Sequence, residues 1–172
     1  MGAGKTTVGR ALARHWDVAF RDTDDDVEQA AGKPIPEIFV DDGEQHFRVL
    51  EADAVVAALA DHDGVLALGG GAVMTPAVRE ALDGHTVVFL SVGLTDAVKR
   101  VGVGVGRPLL LGGVRSRMKA LLDERTPAYR GVAVLEVATD GKAPDVVAEE
   151  VADLLDGWHR PAAGPDEQEA PR

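Results

Sequence analysis

With 172 residues, 45% of them hydrophobic, the chain is long enough to bury one sizeable core and of a size that usually forms one globular domain. Its 29 Asp and Glu outnumber 18 Lys and Arg to a formal net charge of −11, which argues against nucleic acid and anionic membranes as partners. The absence of cysteine excludes disulfides and thiolate metal sites; with no apolar run of roughly 18 residues and no basic-then-apolar secretion signal, the expected address is the cytoplasm.

In chain order, "TTVGRALARHW" sets Val8, Ala11, Leu12 and Trp16 at helical spacing and predicts a helix over Lys5 to Trp16. "VAFRDTD" reads as a short strand ending in Asp22 and Asp24. The stretch that follows, broken at Gly32, Pro34, Pro36 and Gly43, reads as short helices and then one long helix carrying Leu50, Ala54, Ala57 and Ala58. "GVLALGGGAV" is a buried strand running into three glycines, "PAVREALDG" a short helix opened by Pro76 and closed by Gly84, and "HTVVFLSV" another buried strand. "TDAVKRV" begins a helix capped by Thr95 or Asp96, "GVGVGRPLLLGG" interrupts all periodicity, "VRSRMKALLDER" is helical and "VAVLEVA" is a strand. "APDVVAEEVADLLDGW" is an amphipathic helix, and "RPAAGPDEQEAPR" has the composition of a disordered tail. Strands alternating with helices predict an α/β fold with a mostly parallel sheet, in which ligands bind beyond the C-terminal ends of the strands.

Three segments occupy that position. "GAGKTT" ends as a phosphate loop ends: amides of a glycine-rich turn cradle phosphate oxygens, Lys5 reaches the outer phosphates, and the Thr6 hydroxyl binds Mg²⁺. Taken alone, Gly-Lys-Thr is also an ordinary helix cap. The pattern's first glycine would fall just before Met1, and the strand that normally precedes such a loop would lie there too, so the functional chain is expected to start upstream. Asp22 and Asp24, two apart, would project from one face of an extended segment, where a carboxylate pair can hold Mg²⁺ through water and accept a hydrogen bond from an attacking hydroxyl; a solvated acidic turn is the plainer alternative. Gly69, Gly70 and Gly71 either open backbone amides to a ligand or make a flexible turn.

Arg48, Arg107 and Arg130 are each either surface residues or contributors of positive charge, Arg107 from a glycine-rich loop able to close over a transferred phosphoryl group. The five histidines are scattered without metal-ligand spacing, and no nucleophile elbow occurs.

In order and spacing, "GAGKTTVGR", "DTD", "IFVDDGEQHFRVLE", "LALGGGAV", "RPLL" and "ERTPAYR" together resemble the shikimate kinase family, over Met1 to about Trp158. The resemblance implies a small P-loop kinase domain over residues 1–158, with a five-stranded parallel sheet, a substrate-binding segment and a lid, and a tail over 159–172. It implies ATP-dependent phosphorylation of the 3-hydroxyl of shikimate by a monomer. Gly2, Ala3, Gly4, Lys5, Thr6 and Thr7 would bind ATP, Arg100 would lie along the adenine, and Arg107 would face the phosphates from the lid. Thr6 and Asp22 would hold Mg²⁺. Asp24, Arg48, the Gly69 to Gly71 turn and Arg130 would bind shikimate, with Asp24, Lys5 and Arg107 carrying the chemistry. The rivals are another small-molecule kinase, such as a gluconate kinase, and a non-catalytic truncated relative.

Overall fold

A computed structural model describes residues 1–101 and 113–156. Arg107 and the expected tail lie outside the described residues. Helix α1 (Lys5–Trp16) leads to strand β1 (Phe20–Asp22), then to helices α2 (Thr23–Ala31), α3 (Ile35–Asp41) and α4 (Gly43–Asp61). Strand β2 (Val65–Ala67) follows, then a 3₁₀ turn (Ala72–Met74) and helix α5 (Pro76–Ala81). Strand β3 (Val88–Ser91), helix α6 (Leu94–Val101), helix α7 (Val114–Val132), strand β4 (Leu135–Ala138) and helix α8 (Pro144–Asp156) complete the order. The α/β expectation therefore holds.

The strands form two parallel pairs: β1 runs beside β2 with Phe20 opposite Val65, and β3 beside β4 with Val88 opposite Leu135. What joins the pairs is a shared apolar core, in which Val8, Ala11 and Leu12 of α1 meet Val147, Ala148, Val151 and Ala152 of α8, with Val65, Val88, Leu90 and Leu135 packed against them. Alanine on both helices lets the two approach closely. At Gly9 of α1, a Cβ would stand only 2.7 Å from the Phe20 ring, so this helix also needs glycine to lie against β1. The helix ends where Asp17 takes a left-handed φ of 53° and Val18 N–H closes back on the Ala13 carbonyl at 3.0 Å.

Four boundaries differ from the sequence reading, each for a local reason. Asp24 does not lie on an extended segment: the Asp22 carboxylate accepts the Asp24 N–H at 3.2 Å and caps α2, whose first turn carries Asp24, Asp25 and Asp26 at the positive end of the helix dipole. Pro36 does not break the chain but sits in the first turn of α3, where a missing N–H costs nothing, while the break expected at Gly43 does fall there, between α3 and α4. Helix α6 starts at Leu94, ahead of Thr95 and Asp96, because Ala97 N–H already bonds the Gly93 carbonyl at 2.9 Å. Helix α7 continues through Pro127 to Val132, with Thr126 Oγ1 donating to the Leu122 carbonyl at 2.6 Å beside the break in the backbone ladder. Among the described residues no helix is long and apolar enough to cross a membrane.

Leu12 is 7% exposed within the core that unites the strand pairs. Leu12→Ala is expected to lower the unfolding free energy by about 2–4 kcal/mol in urea melts. Val40→Ala, at a position 82% exposed, should stay within about 0.5 kcal/mol of the parent.

Candidate active site

The segment Met1–Thr7 wraps the N-terminal end of α1. Gly2 and Gly4 take φ values of 75° and 83°, a left-handed backbone that side chains disfavour, and a Cβ at Gly2 would lie 3.0 Å from the Ala97 carbonyl oxygen. The first turn of α1 contains no acid, so its amides and positive dipole end are left for an anion. Lys5, at the start of that turn, is half-buried, and Thr7 is exposed. The Thr6 hydroxyl donates to Asp22 Oδ2 at 2.7 Å, which brings together the two groups expected at a metal. Arg100 fixes the loop from the other side: Nη1 donates to the Gly2 carbonyl at 3.2 Å and to Thr139 Oγ1 at 3.0 Å, and Nη2 to the Thr139 carbonyl at 2.7 Å. A basic side chain thus ties the phosphate loop to the end of β4.

A second group of residues converges on the turn after β2. Thr23, fully buried, accepts the Gly69 N–H at 3.1 Å and sets the turn against the start of α2. A Cβ at Gly69 would collide with Glu51 Oε1 and lie 2.7 Å from Asp24 Oδ1, while one at Gly71 would collide with the Arg48 guanidinium. The glycines are therefore needed for packing as well as for backbone access: Asp24, Arg48 and Glu51 all press against them. Arg48 Nη1 donates to Glu51 Oε2 at 2.6 Å and Nη2 to Glu44 Oε1 at 2.9 Å, so one guanidinium is held by two carboxylates from its own helix. From the opposite side, Arg125 Nη1 and the Tyr129 hydroxyl both donate to the Gly70 carbonyl, at 3.0 and 2.5 Å. Arg125 is 7% exposed, and its buried Nε has no hydrogen-bond partner.

The two groups adjoin. A Cβ at Gly70 would lie 3.9 Å from Met1 Cγ, and the consecutive residues Asp22, Thr23 and Asp24 serve the phosphate loop, the glycine turn and the second group in succession.

Arg130 is not brought to this cluster. Its side chain is 62% exposed and forks onto Glu136 at 2.8 and 3.1 Å, on β4. Because α7 runs unbroken through Pro127, Arg125 and Tyr129 lie one turn apart on the face toward Gly70, and Arg130 is rotated away. The signal was present in the 4-3-4 spacing of Met118, Leu122, Arg125 and Tyr129, an inward stripe that runs past the helix end read at Arg125. Glu51 was visible only as a possible surface partner of Arg48, and its burial, 1% exposed, is a tertiary fact. Among the described residues no cluster of three or more His, Asp or Glu could cage a metal.

The shikimate kinase family model matches residues 1–156. A shikimate kinase of Salinispora arenicola is 62% identical over 154 residues, 90% of this chain and 92% of the relative; one from Mycobacterium avium is 50% identical over 155 residues, 90% of this chain and 88% of that one. The solved structure of an Acinetobacter baumannii shikimate kinase in complex with shikimate superposes with a TM-score of 0.88 at 35% identity, covering 91% of this chain and 89% of that one. A phosphate loop beside an arginine-lined glycine turn, matched in sequence and in fold over nearly its whole length, places this chain in the shikimate kinase family.

Proposed function

We propose that the chain transfers the γ-phosphoryl group of ATP to the 3-hydroxyl of shikimate at the junction of Thr6, Asp22 and Asp24. The observation that carries this reading is the continuity of Asp22, Thr23 and Asp24, which joins the phosphate loop to the acceptor group through adjacent residues. The triphosphate lies over the amides of Gly2, Ala3 and Gly4 and the first turn of α1, with Lys5 and Thr7 beside it and Arg100 along the adenine. The hydroxyl and carboxylate of Thr6 and Asp22 fit Mg²⁺, whose remaining oxygens would come from phosphate and water; bound there, the ion offsets phosphate charge. Asp24 accepts a hydrogen bond from the attacking hydroxyl and orients it. Catalysis then comes from positioning and charge neutralisation, with Arg107 assigned to the phosphates through the family resemblance.

For the shikimate carboxylate, Arg48 keeps its role and Arg125 replaces Arg130. Arg125 faces the glycine turn with an unpartnered donor, a planar guanidinium suits a carboxylate, and Arg130 is occupied by Glu136. Glu51 positions Arg48. These parts all lie within one chain, which supports a monomer, and the cytoplasm remains the expected compartment.

Shikimate-dependent ADP release with Mg-ATP tests the reaction, with gluconate expected to be inert as acceptor. Arg48→Ala and Arg125→Ala should each raise the KM for shikimate about 30-fold or more, as truncating one member of a buried charged contact does, and leave the KM for ATP within about threefold. Arg130→Ala should change neither by more than about twofold. Gly71→Ala should reproduce the Arg48→Ala defect by displacing the guanidinium.

A pH dependence follows from Glu51. Burial pushes its carboxyl above the ordinary value of 4.5; Arg48 pulls it down without cancelling that rise, and Asp24 pushes it further up. Because the folded state holds this proton more tightly, the contribution of Glu51 to stability is fully present below about 4.5 and is lost as pH rises through the raised value. Relative to Glu51→Gln, the parent should therefore lose unfolding free energy as the pH of urea melts is raised above 4.5. The same variant should weaken shikimate binding at pH 7.5, because Arg48 loses its buried partner.

A further inference from the structure

Thr139, the residue after β4, has no part in the reaction as assigned, and at 2% exposed it is too buried to touch a ligand. Its N–H and its hydroxyl both donate to the carbonyl of Ser91, the last residue of β3, at 2.9 and 3.1 Å. A hydroxyl carries one proton, and with that proton on Ser91 the Thr139 oxygen is left as an acceptor. Arg100 uses it: Nη1 donates to Thr139 Oγ1 at 3.0 Å and Nη2 to the Thr139 carbonyl at 2.7 Å, so the guanidinium is gripped at two points. The segments on either side are cross-tied, with Gly93 N–H donating to Asp140 Oδ1 at 2.8 Å and Gly141 N–H to Asp96 Oδ2 at 3.1 Å.

Arg100 Nη1 also reaches the Gly2 carbonyl, at 3.2 Å. A trans peptide is planar and points its C=O and the following N–H in opposite directions. A donor on the Gly2 carbonyl therefore sets the direction of the Ala3 N–H, away from Arg100. Gly2, at φ 75°, tolerates either orientation of that plane, so the loop does not select one by itself. Arg100 selects it, provided that its own guanidinium is held.

On the reading given above, that the triphosphate lies over the amides of Gly2, Ala3 and Gly4, we propose that Thr139 is a positioning residue for phosphate binding. Its hydroxyl oxygen holds the Arg100 guanidinium in the orientation that keeps the Gly2–Ala3 peptide turned with the Ala3 N–H toward the phosphates. Thr139 thus acts through Arg100 and touches no substrate. Valine at this position would keep the shape and both backbone bonds and remove only the acceptor.

The test compares Thr139→Val with Thr139→Ser, which restores the hydroxyl. Calorimetric titration with inorganic triphosphate and Mg²⁺, a ligand without a base, should show affinity lowered at least about fivefold in Thr139→Val and less than about twofold in Thr139→Ser, with adenosine affinity within about twofold of the parent in both. In an Arg100→Met background the valine substitution should cost nothing further, because its effect travels through the guanidinium. In the unliganded protein the Ala3 amide nitrogen resonance should move in Thr139→Val and return in Thr139→Ser. Should Thr139→Val fail to fold, Thr139→Cys, a weak acceptor of similar size, takes its place. Parental triphosphate affinity in Thr139→Val, an additive loss in the Arg100→Met background, or a loss that falls on adenosine instead would overturn the proposal. A parent that shows the expected losses but does not phosphorylate shikimate keeps this role for Thr139 and loses the proposed reaction. A parent that phosphorylates shikimate with an Ala3 resonance indifferent to valine loses the role alone, and one that binds no triphosphate overturns both.

Discussion

The cluster at the glycine turn is organised around one buried ion pair. Arg48 and Glu51 meet at 2.6 Å, and the carboxylate side chain is 2% exposed, so the pair has given up most of its hydration. Removing two charges from water costs several kcal/mol for each ion, and a lone pair contact does not reliably offset that. Here further contacts share the cost: Glu44 takes the second face of the Arg48 guanidinium, and the Phe47 ring lies 5.1 Å beneath it. The pair is thereby held in a single geometry against the glycine turn. A guanidinium so fixed loses little entropy when a carboxylate arrives, which is the value of preorganisation at a binding site.

That geometry restricts the turn to glycine. The positions of Gly69 and Gly71 are occupied from outside by Glu51, Asp24 and Arg48, so their missing side chains leave room for charged groups to reach the backbone. On the far side, Arg125 and Tyr129 draw the Gly70 carbonyl toward α7. Burial also pushes the Tyr129 hydroxyl up from its ordinary value, so it remains a donor at neutral pH. Helices α4 and α7 therefore reach this backbone from opposite directions. The net acidic composition is compatible with anionic ligands because the cations are gathered locally: Arg48, Arg125 and Arg100 are each turned toward a strand end.

Legibility in the sequence followed the range of the interaction. Helix α1, strands β2 to β4 and helix α8 announce themselves through periodicity and bounding glycines, and the segment "GAGKTT" identifies its own chemistry through the order of its residues. The start of α2 was misread because Asp22 looks the same as a strand end and as an N-cap; only the bond to the Asp24 N–H distinguishes them. Arg130 was named through the family resemblance, with the helix read as ending at Arg125; a helix that continues through Pro127 turns Arg125 inward and Arg130 outward. Glu51 had no local signature. Its partner is one turn away and visible, but its burial depends on α4 packing over the turn after β2, more than seventeen residues down the chain.

The split between the strand pairs bears on the phosphate half. Thr6 and Asp22 come from α1 and β1, beside one strand pair, whereas Arg100 and Thr139 hold Gly2 from α6 and the end of β4, beside the other. The loop is thus fastened to both pairs, and so is the Gly70 carbonyl after β2, held by Arg125 and by Tyr129, whose ring packs on Phe89 of β3. Apolar packing also links them, α1 on α8 in one cluster and Leu68, Ala72 and Val73 against Val87, Tyr129 and Val132 in another, and such packing is nondirectional and fixes distance better than angle. A shift of one pair against the other would move Arg100 relative to Thr6. Phosphoryl transfer, which draws most of its rate from position, would be sensitive to that shift before any catalytic side chain was altered.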